Sequence, residues 1–104
     1  MTDERRNGLV RYATRNIHHA ANEYIGGLEN TLYDYNETDE EYISAKARLA
    51  DHNSLVDTIY SMAVASEFDA GYSGPASNNV KAIKFLGTDY LLCLVEEEVK
   101  KQGY

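Results

Sequence analysis

The stretch NETDEE, residues 36–41, decides the fold of this chain. Thr38 stands three residues before Glu41, which is the capping-box pattern found where helices begin. Apolar side chains then recur at intervals of three and four from Tyr42 to Ala63, which is the spacing of an amphipathic helix. The pattern predicts a second helix over residues 38–68.

The residues before this stretch carry the same periodicity. Apolar side chains are spaced by three and four from Val10 to Tyr35, which predicts a first helix over residues 1–36. Gly26 and Gly27 interrupt the pattern, but because no proline is near we expect the helix to continue through them. Two long helices joined by a short turn lie antiparallel, so this part of the chain is predicted to form a helical hairpin.

The C-terminal third is less regular. Residues 69–79 contain the only proline and are rich in turn-forming residues, which predicts a loop. Residues 80–103 fit a helical period that breaks at Gly87 and ends in a basic turn followed by glycine. An alternative makes Val80–Leu86 and Tyr90–Val95 the strands of a β-hairpin. The predicted fold class is all-α, a long antiparallel helical hairpin with one or two shorter C-terminal helices; the alternative is α+β with a C-terminal β-hairpin.

Length and composition limit the classes of function. A chain of 104 residues predicts one domain, residues 1–104. It has no long apolar run and no apolar stretch near its start, so we expect a soluble, cytoplasmic protein with neither a membrane span nor a signal peptide. The single cysteine, Cys93, agrees with a reducing compartment. The net charge of −7 disfavours nucleic acid as a direct partner, because phosphate binding depends on Lys and Arg.

The negative charge is concentrated in one part of the chain. Residues 16–45 contain seven acidic residues and no Lys or Arg, whereas the remaining residues carry ten acidic and ten basic side chains. Four arginines lie in the first sixteen positions. In a hairpin the acidic residues surround the turn and the arginines gather at the opposite end. Carboxylates at the start of a helix are favoured by its dipole, but this does not explain the absence of a basic residue over thirty positions.

Tyrosine is the second compositional signal. There are nine tyrosines, against two phenylalanines and no tryptophan, and Tyr33 and Tyr35 lie beside the acidic turn. Tyrosine beside charge is typical of binding surfaces, although tyrosines also occur at the margin of small cores. We define the acidic tip as the following candidate partner-binding residues: Glu29, Tyr33, Asp34, Tyr35, Glu37, Asp39, Glu40 and Glu41.

Histidines, aspartate and cysteine are the side chains of this sequence suited to a metal site or an active site. His18, His19, Asp51 and His52 are of ligand type, and an antiparallel hairpin brings the second pair towards the first, so a small metal-binding helical domain is an alternative. The chain lacks the paired spacings of zinc sites, and we expect no metal and no cofactor. Cys93 lies among leucines, where a thiol behaves as a small hydrophobe. No enzymatic motif is present, and we expect no enzyme.

The short, acidic, motif-free and tyrosine-bearing chain resembles small inhibitors encoded by phages and other mobile elements, in particular anti-CRISPR proteins that act on type II effector nucleases. The resemblance is one of overall profile and rests on the acidic span Glu29–Glu41 with Tyr33 and Tyr35. It implies stoichiometric inhibition in the cytoplasm of a bacterial host cell. The implied partner is a CRISPR effector nuclease, whose basic groove for DNA or guide RNA is occupied by the carboxylates while the aromatic side chains anchor the contact.

A different class of function is also compatible with the helical pattern. Two copies of the hairpin would pair into a four-helix bundle, which would make the chain a self-associating structural or regulatory protein. This alternative predicts a homodimer.

Overall fold

The computed structural model describes residues 2–69 and 86–104, apart from the side chains of Arg5 and of residues 66–69. In this part of the chain every regular element is an α-helix, which confirms the all-α fold class. The described helices are α1 (Asp3–Asp34), α2 (Glu40–Ala50), α3 (His52–Asp69) and α4 (Thr88–Lys101). Residues 70–79 of the predicted loop and residues 80–85 of the predicted C-terminal segment lie outside the described residues. None of the described helices combines the length and the hydropathy needed to cross a bilayer.

α1 forms the long arm of the predicted hairpin. Its first turn contains Asp3 and Glu4, whose charges suit the positive end of the helix dipole. The helix continues without interruption through Gly26 and Gly27, as predicted. A methyl group added at either glycine would meet no atom within 4 Å, so neither glycine is required for a close helix contact. At about 1.5 Å per residue, its 32 residues span nearly the full 53 Å length of the described structure.

The single second helix predicted over residues 38–68 is wrong, because the chain forms two helices that meet at Asp51. The backbone of Asp51 is extended, with φ −94° and ψ 93°. Its side-chain Oδ1 accepts a hydrogen bond from the backbone amide of Ser54 at 3.1 Å, and its carbonyl accepts the amide of Leu55 at 3.0 Å. Asp51 is therefore the N-cap of α3, and its side chain satisfies an amide that an uncapped helix would leave free.

The start of α2 also differs from the capping box predicted at Thr38. The residue before the helix is Asp39, in an extended conformation, and its side chain makes no capping hydrogen bond. Instead, Asp39 Oδ2 accepts the backbone amide of Asn36 at 2.9 Å, and the Asp39 amide donates to the Asn36 carbonyl at 2.9 Å. This pair of bonds closes the turn between α1 and α2 within four residues.

α4 contradicts the alternative β-hairpin, because Tyr90–Val95 is helical. Gly87 lies before the first turn with φ +89°, a value that side chains disfavour, so the predicted break at this glycine is confirmed. The helix ends in a Schellman motif, in which the Gly103 amide donates to Lys100 and the Tyr104 amide donates to Val99. Gly103 provides the positive φ, +94°, that this ending requires.

The core lies between α1 and the other three helices. The buried side chains that form it include Ile17, Ala21 and Ile25 from α1, Leu49 from α2, Leu55 and Ile59 from α3, and Val95 and Val99 from α4. Tyr60 and Leu91 both pack at Ala13, near the start of α1. Because α2 begins beside the end of α1, this contact shows that the chain returns antiparallel to α1 through α2 and α3. α4 runs parallel to α1, since Leu91 lies near Ala13 and the following turns approach later residues of α1.

Candidate functional site

The acidic tip is built by the end of α1, the five-residue turn and the first turn of α2. The amide of Tyr35 donates to the Thr31 carbonyl at 3.1 Å, which continues the helical hydrogen bonding one residue past Asp34. Seven of the eight candidate residues are exposed, and Asp39 is half-buried because it closes the turn. The backbone thus holds these side chains on a short, hydrogen-bonded connection at one end of the molecule.

The helix dipoles explain only part of this charge. Glu40 and Glu41 occupy the first turn of α2, where negative charge is favourable. Asp34 occupies the last turn of α1, which has no basic residue and where the dipole favours a cation instead. Its carboxylate therefore has no helix-stabilising role.

Four of the carboxylates at the tip are available to another molecule. Asp34, Glu37, Glu40 and Glu41 form no ion pair with any residue that the structure describes. The nearest cation on the same helix, Lys46, has its Nζ 6.0 Å from the centre of the Tyr42 ring, where a cation–π attraction holds it. The tip therefore presents uncompensated negative charge.

Exposed apolar surface accompanies this charge. Tyr33 is 90% exposed, Tyr35 is 45% exposed and Ile43, one turn into α2, is 57% exposed. The other two exposed large hydrophobic side chains among the described residues, Tyr90 and Tyr104, are less open to solvent than these three. Rings and aliphatic groups beside charges provide contact area that a purely solvated tip would not need.

Glu29 differs from the four available carboxylates of the tip because its side chain has a partner. Its Oε1 accepts a hydrogen bond of 2.6 Å from the Tyr104 hydroxyl, 75 residues away along the chain. This hydrogen bond, together with burial and the Glu29 charge, raises the pKa of Tyr104 above its ordinary value. The bond ties the end of α4 to the side of α1, so Glu29 has a structural role within the fold.

A shallow groove runs along the outer face of α2, beside the tip. It has a volume of about 420 Å³, and it is lined by Glu37, Tyr42, Ile43, Lys46, Ala47 and Ala50. We call this feature the α2 groove. The buried residues of α2, Ala45 and Leu49, face the opposite side. The helix is therefore apolar on two faces, one packed against the core and one open.

The residues considered for a metal site are each engaged separately. His19 Nε2 lies 3.1 Å from Glu23 on its own helix, and His52 Nε2 lies 3.9 Å from Glu96 of α4. Asp51 is occupied in capping α3. In the described part of the chain no three side chains of metal-ligating type lie close enough together to hold an ion.

His18 instead pairs with a buried carboxylate. Its Nδ1 lies 2.6 Å from Glu98 Oε1, and its Nε2 lies 3.0 Å from the side-chain amide of Asn22. Glu98 is 7% exposed and also accepts a hydrogen bond of 3.2 Å from Gln102. Burial alone raises the pKa of Glu98, but hydrogen bonds from Gln102 and His18 and the charges of His18 and Lys101 outweigh it, so the pKa lies below its ordinary value. This cluster links α4 to α1.

Cys93 is exposed on α4, whereas its leucine-rich neighbourhood in the sequence indicated a small hydrophobe packed in the core. On this helix successive side chains point in different directions, so Leu91 lies in the core, Leu92 and Leu94 are half-buried, and the thiol of Cys93 faces outward.

Three comparisons were made with known proteins, and no protein family, no curated protein and no solved structure matches this chain.

Proposed function

We propose that the protein is a non-enzymatic inhibitor that binds another protein through its acidic tip and covers a basic surface of that partner meant for nucleic acid. The observation that carries the proposal is the coincidence of unpaired carboxylates with exposed apolar side chains. Asp34 and Glu37 form no ion pair with the described residues, and Tyr33 beside them is 90% exposed. Such a surface supplies both electrostatic steering and an apolar anchor.

The electrostatic part of this mechanism follows from the charge distribution. Residues 16–45 carry seven acidic side chains and no Lys or Arg. A surface of one sign accelerates encounter with a surface of the opposite sign, and rejects nucleic acid, which is itself negative. Carboxylates spaced along the turn would take the places that phosphate groups occupy in the basic groove of the partner.

The resemblance to anti-CRISPR proteins makes a type II CRISPR effector nuclease the first partner to test. We would measure DNA cleavage by a panel of guide-loaded type II effectors at increasing concentrations of the protein. An inhibitor of this kind should act at a stoichiometric ratio, and its effect should weaken as salt rises, because ions screen exposed charges over about 8 Å at physiological ionic strength.

The variant that tests the tip is the double substitution Glu40→Lys with Glu41→Lys. We expect it to weaken inhibition roughly tenfold or more, because close charge pairs across an interface contribute more than 1.4 kcal/mol. The matched control is Asp57→Lys with Glu97→Lys, which makes the same change in net charge at exposed positions on α3 and α4. If the two double variants inhibit equally well, the acidic tip is not the binding surface. If no effector in the panel is inhibited, the nuclease is not the partner.

A further inference from the structure

The α2 groove is an apolar surface beside the acidic tip that the described part of the chain leaves uncovered. Ile43, Ala47 and Ala50 are spaced by four and three residues, so they lie in one line along the outer face of α2. The line extends over seven residues, or about 10 Å, and it ends where Asp51 breaks the helix. This length corresponds to two turns of a helix lying alongside.

The shape of the groove suits a helix better than a small molecule. Ala47 and Ala50 are small and exposed, so the backbone of a second helix can approach to the 8–10 Å axial distance of packed helices. Ile43 rises at one end and is 57% exposed, which provides an apolar contact. The groove is bounded by one helix and the adjoining turn, and does not enclose a ligand.

The charges at the edge of the groove determine which helix it accepts. Glu37 lines the groove at the turn, and Glu40 lies one turn before Ile43 on the same face. Neither carboxylate forms an ion pair with a described residue. The cation of the groove, Lys46, lies over the ring of Tyr42 and forms no ion pair with a described carboxylate. The end of the groove near the turn is therefore negative and would repel an acidic occupant.

We propose that the α2 groove binds a basic amphipathic helix of a partner protein. The apolar stripe of that helix, at positions i, i+3 or i+4 and i+7, lies on Ile43, Ala47 and Ala50, while its Lys or Arg residues face Glu37 and Glu40. This inference rests on the proposed function and specifies the part of the partner that the tip recognises. It differs from simple mimicry of phosphates because recognition requires an apolar contact as well as charge.

A designed peptide tests this proposal directly. The probe is a fluorescein-labelled peptide of about 18 residues, long enough to form a helix on binding, with Leu at helical spacing and Lys elsewhere. The control peptides are a scrambled sequence of the same composition and a version with Glu in place of Lys. We expect fluorescence anisotropy to show binding of the first peptide, at least tenfold weaker binding of the scrambled peptide, and no binding of the acidic one.

Two variants of the protein locate the binding site. Ala47→Arg fills the groove, and we expect it to weaken binding of the basic peptide about tenfold or more relative to Ser61→Arg, which adds the same charge at an exposed position on α3. Ile43→Ala removes the apolar contact and should weaken binding about tenfold. All three positions are exposed, and circular dichroism would verify that each variant folds.

Several results would overturn the proposal. Equal binding of the ordered and scrambled peptides, or equal binding by Ala47→Arg and Ser61→Arg, would show that charge alone attracts the probe. Sedimentation that reveals a dimer dissociated by Ala47→Arg would assign the groove to a second copy of this chain. The proposed function would survive these results if Glu40→Lys with Glu41→Lys still abolished inhibition while Ala47→Arg did not, so the two proposals fail separately.

Discussion

Replacing Asp51 by alanine changes the free energy of unfolding in opposite directions for two helices that meet at Asp51 and for one continuous helix. Asp51 Oδ1 accepts the Ser54 amide at 3.1 Å at the start of α3. Loss of such an N-cap costs about 1 kcal/mol. If residues 38–68 formed one helix, Asp51 would lie at an exposed interior position, and alanine would stabilise that helix by up to about 0.7 kcal/mol through its higher propensity. The two arrangements therefore predict opposite changes.

The assay is reversible unfolding in urea and on heating, followed by circular dichroism. We expect Asp51→Ala to lower the melting temperature by about 4–8 °C, the shift that 1 kcal/mol produces in a domain of this size. Asp51→Asn should retain most of the stability, because asparagine also caps helices. Thr38→Ala serves as the control, since Thr38 lies outside α2 and should change the free energy of unfolding by less than about 0.5 kcal/mol. A higher melting temperature for Asp51→Ala would refute the break.

The remaining predictions concern the two long-range links and the glycine pair. Gly26→Ala and Gly27→Ala should each raise the free energy of unfolding by about 1 kcal/mol in thermal denaturation, because a methyl group meets no atom within 4 Å at either site. The folded-state pKa of Glu98 is lowered, so its ionised form stabilises the fold above the ordinary carboxyl pKa, and this stability is lost as pH falls through the lowered value. Urea unfolding at neutral and acidic pH should therefore show that acidification lowers the free energy of unfolding less for Glu98→Gln than for the unmodified protein. The pKa of Tyr104 is raised, so its neutral form contributes stability below the ordinary tyrosine pKa, and this stability is lost as pH rises through the raised value. The spectrophotometric titration of Tyr104→Phe should lack the tyrosine with this raised pKa. A titration curve identical to that of the unmodified protein would contradict the hydrogen bond to Glu29.

The hairpin could be predicted because helical periodicity is a local property of the sequence. The break at Asp51 is hidden in that periodicity because Leu49 can be followed at intervals of three and four by His52, Val56 and Ile59. The residues that the structure buries, Leu49, Leu55 and Ile59, are six and then four positions apart. The polar run from Asp51 to Ser54 contained the signal, because aspartate is a preferred N-cap residue. The apolar pattern nevertheless predicted one helix, because two consecutive helices that pack on the same neighbour can both carry apolar residues at helical spacing.

Part of the candidate site could be predicted from the sequence, and part depends on how the helices pack. The one-signed charge of residues 16–45 is a property of composition and could be predicted, whereas the α2 groove depends on which alanines face outward. Ala50 is exposed on the same face of α2 as Ile43, whereas Ala45 on the same helix is buried. The bond between Tyr104 and Glu29 depends on α4 lying parallel to α1, and no local pattern records a contact between residues 75 positions apart.

The charge at the end of α1 is an arrangement that the fold itself does not require. A carboxylate in the last helical turn is unfavourable by about 0.3–1 kcal/mol, and Asp34 forms no ion pair with a described residue to offset it. A lysine there would stabilise the helix and reduce the negative potential of the tip. A fold shaped only by stability would favour that lysine, so the charge of Asp34 and the exposed ring of Tyr33 agree with the proposed contact with a partner. Glu40 and Glu41 lie at the start of α2, where negative charge is favourable with or without a partner, so their positions neither support nor oppose the proposed contact.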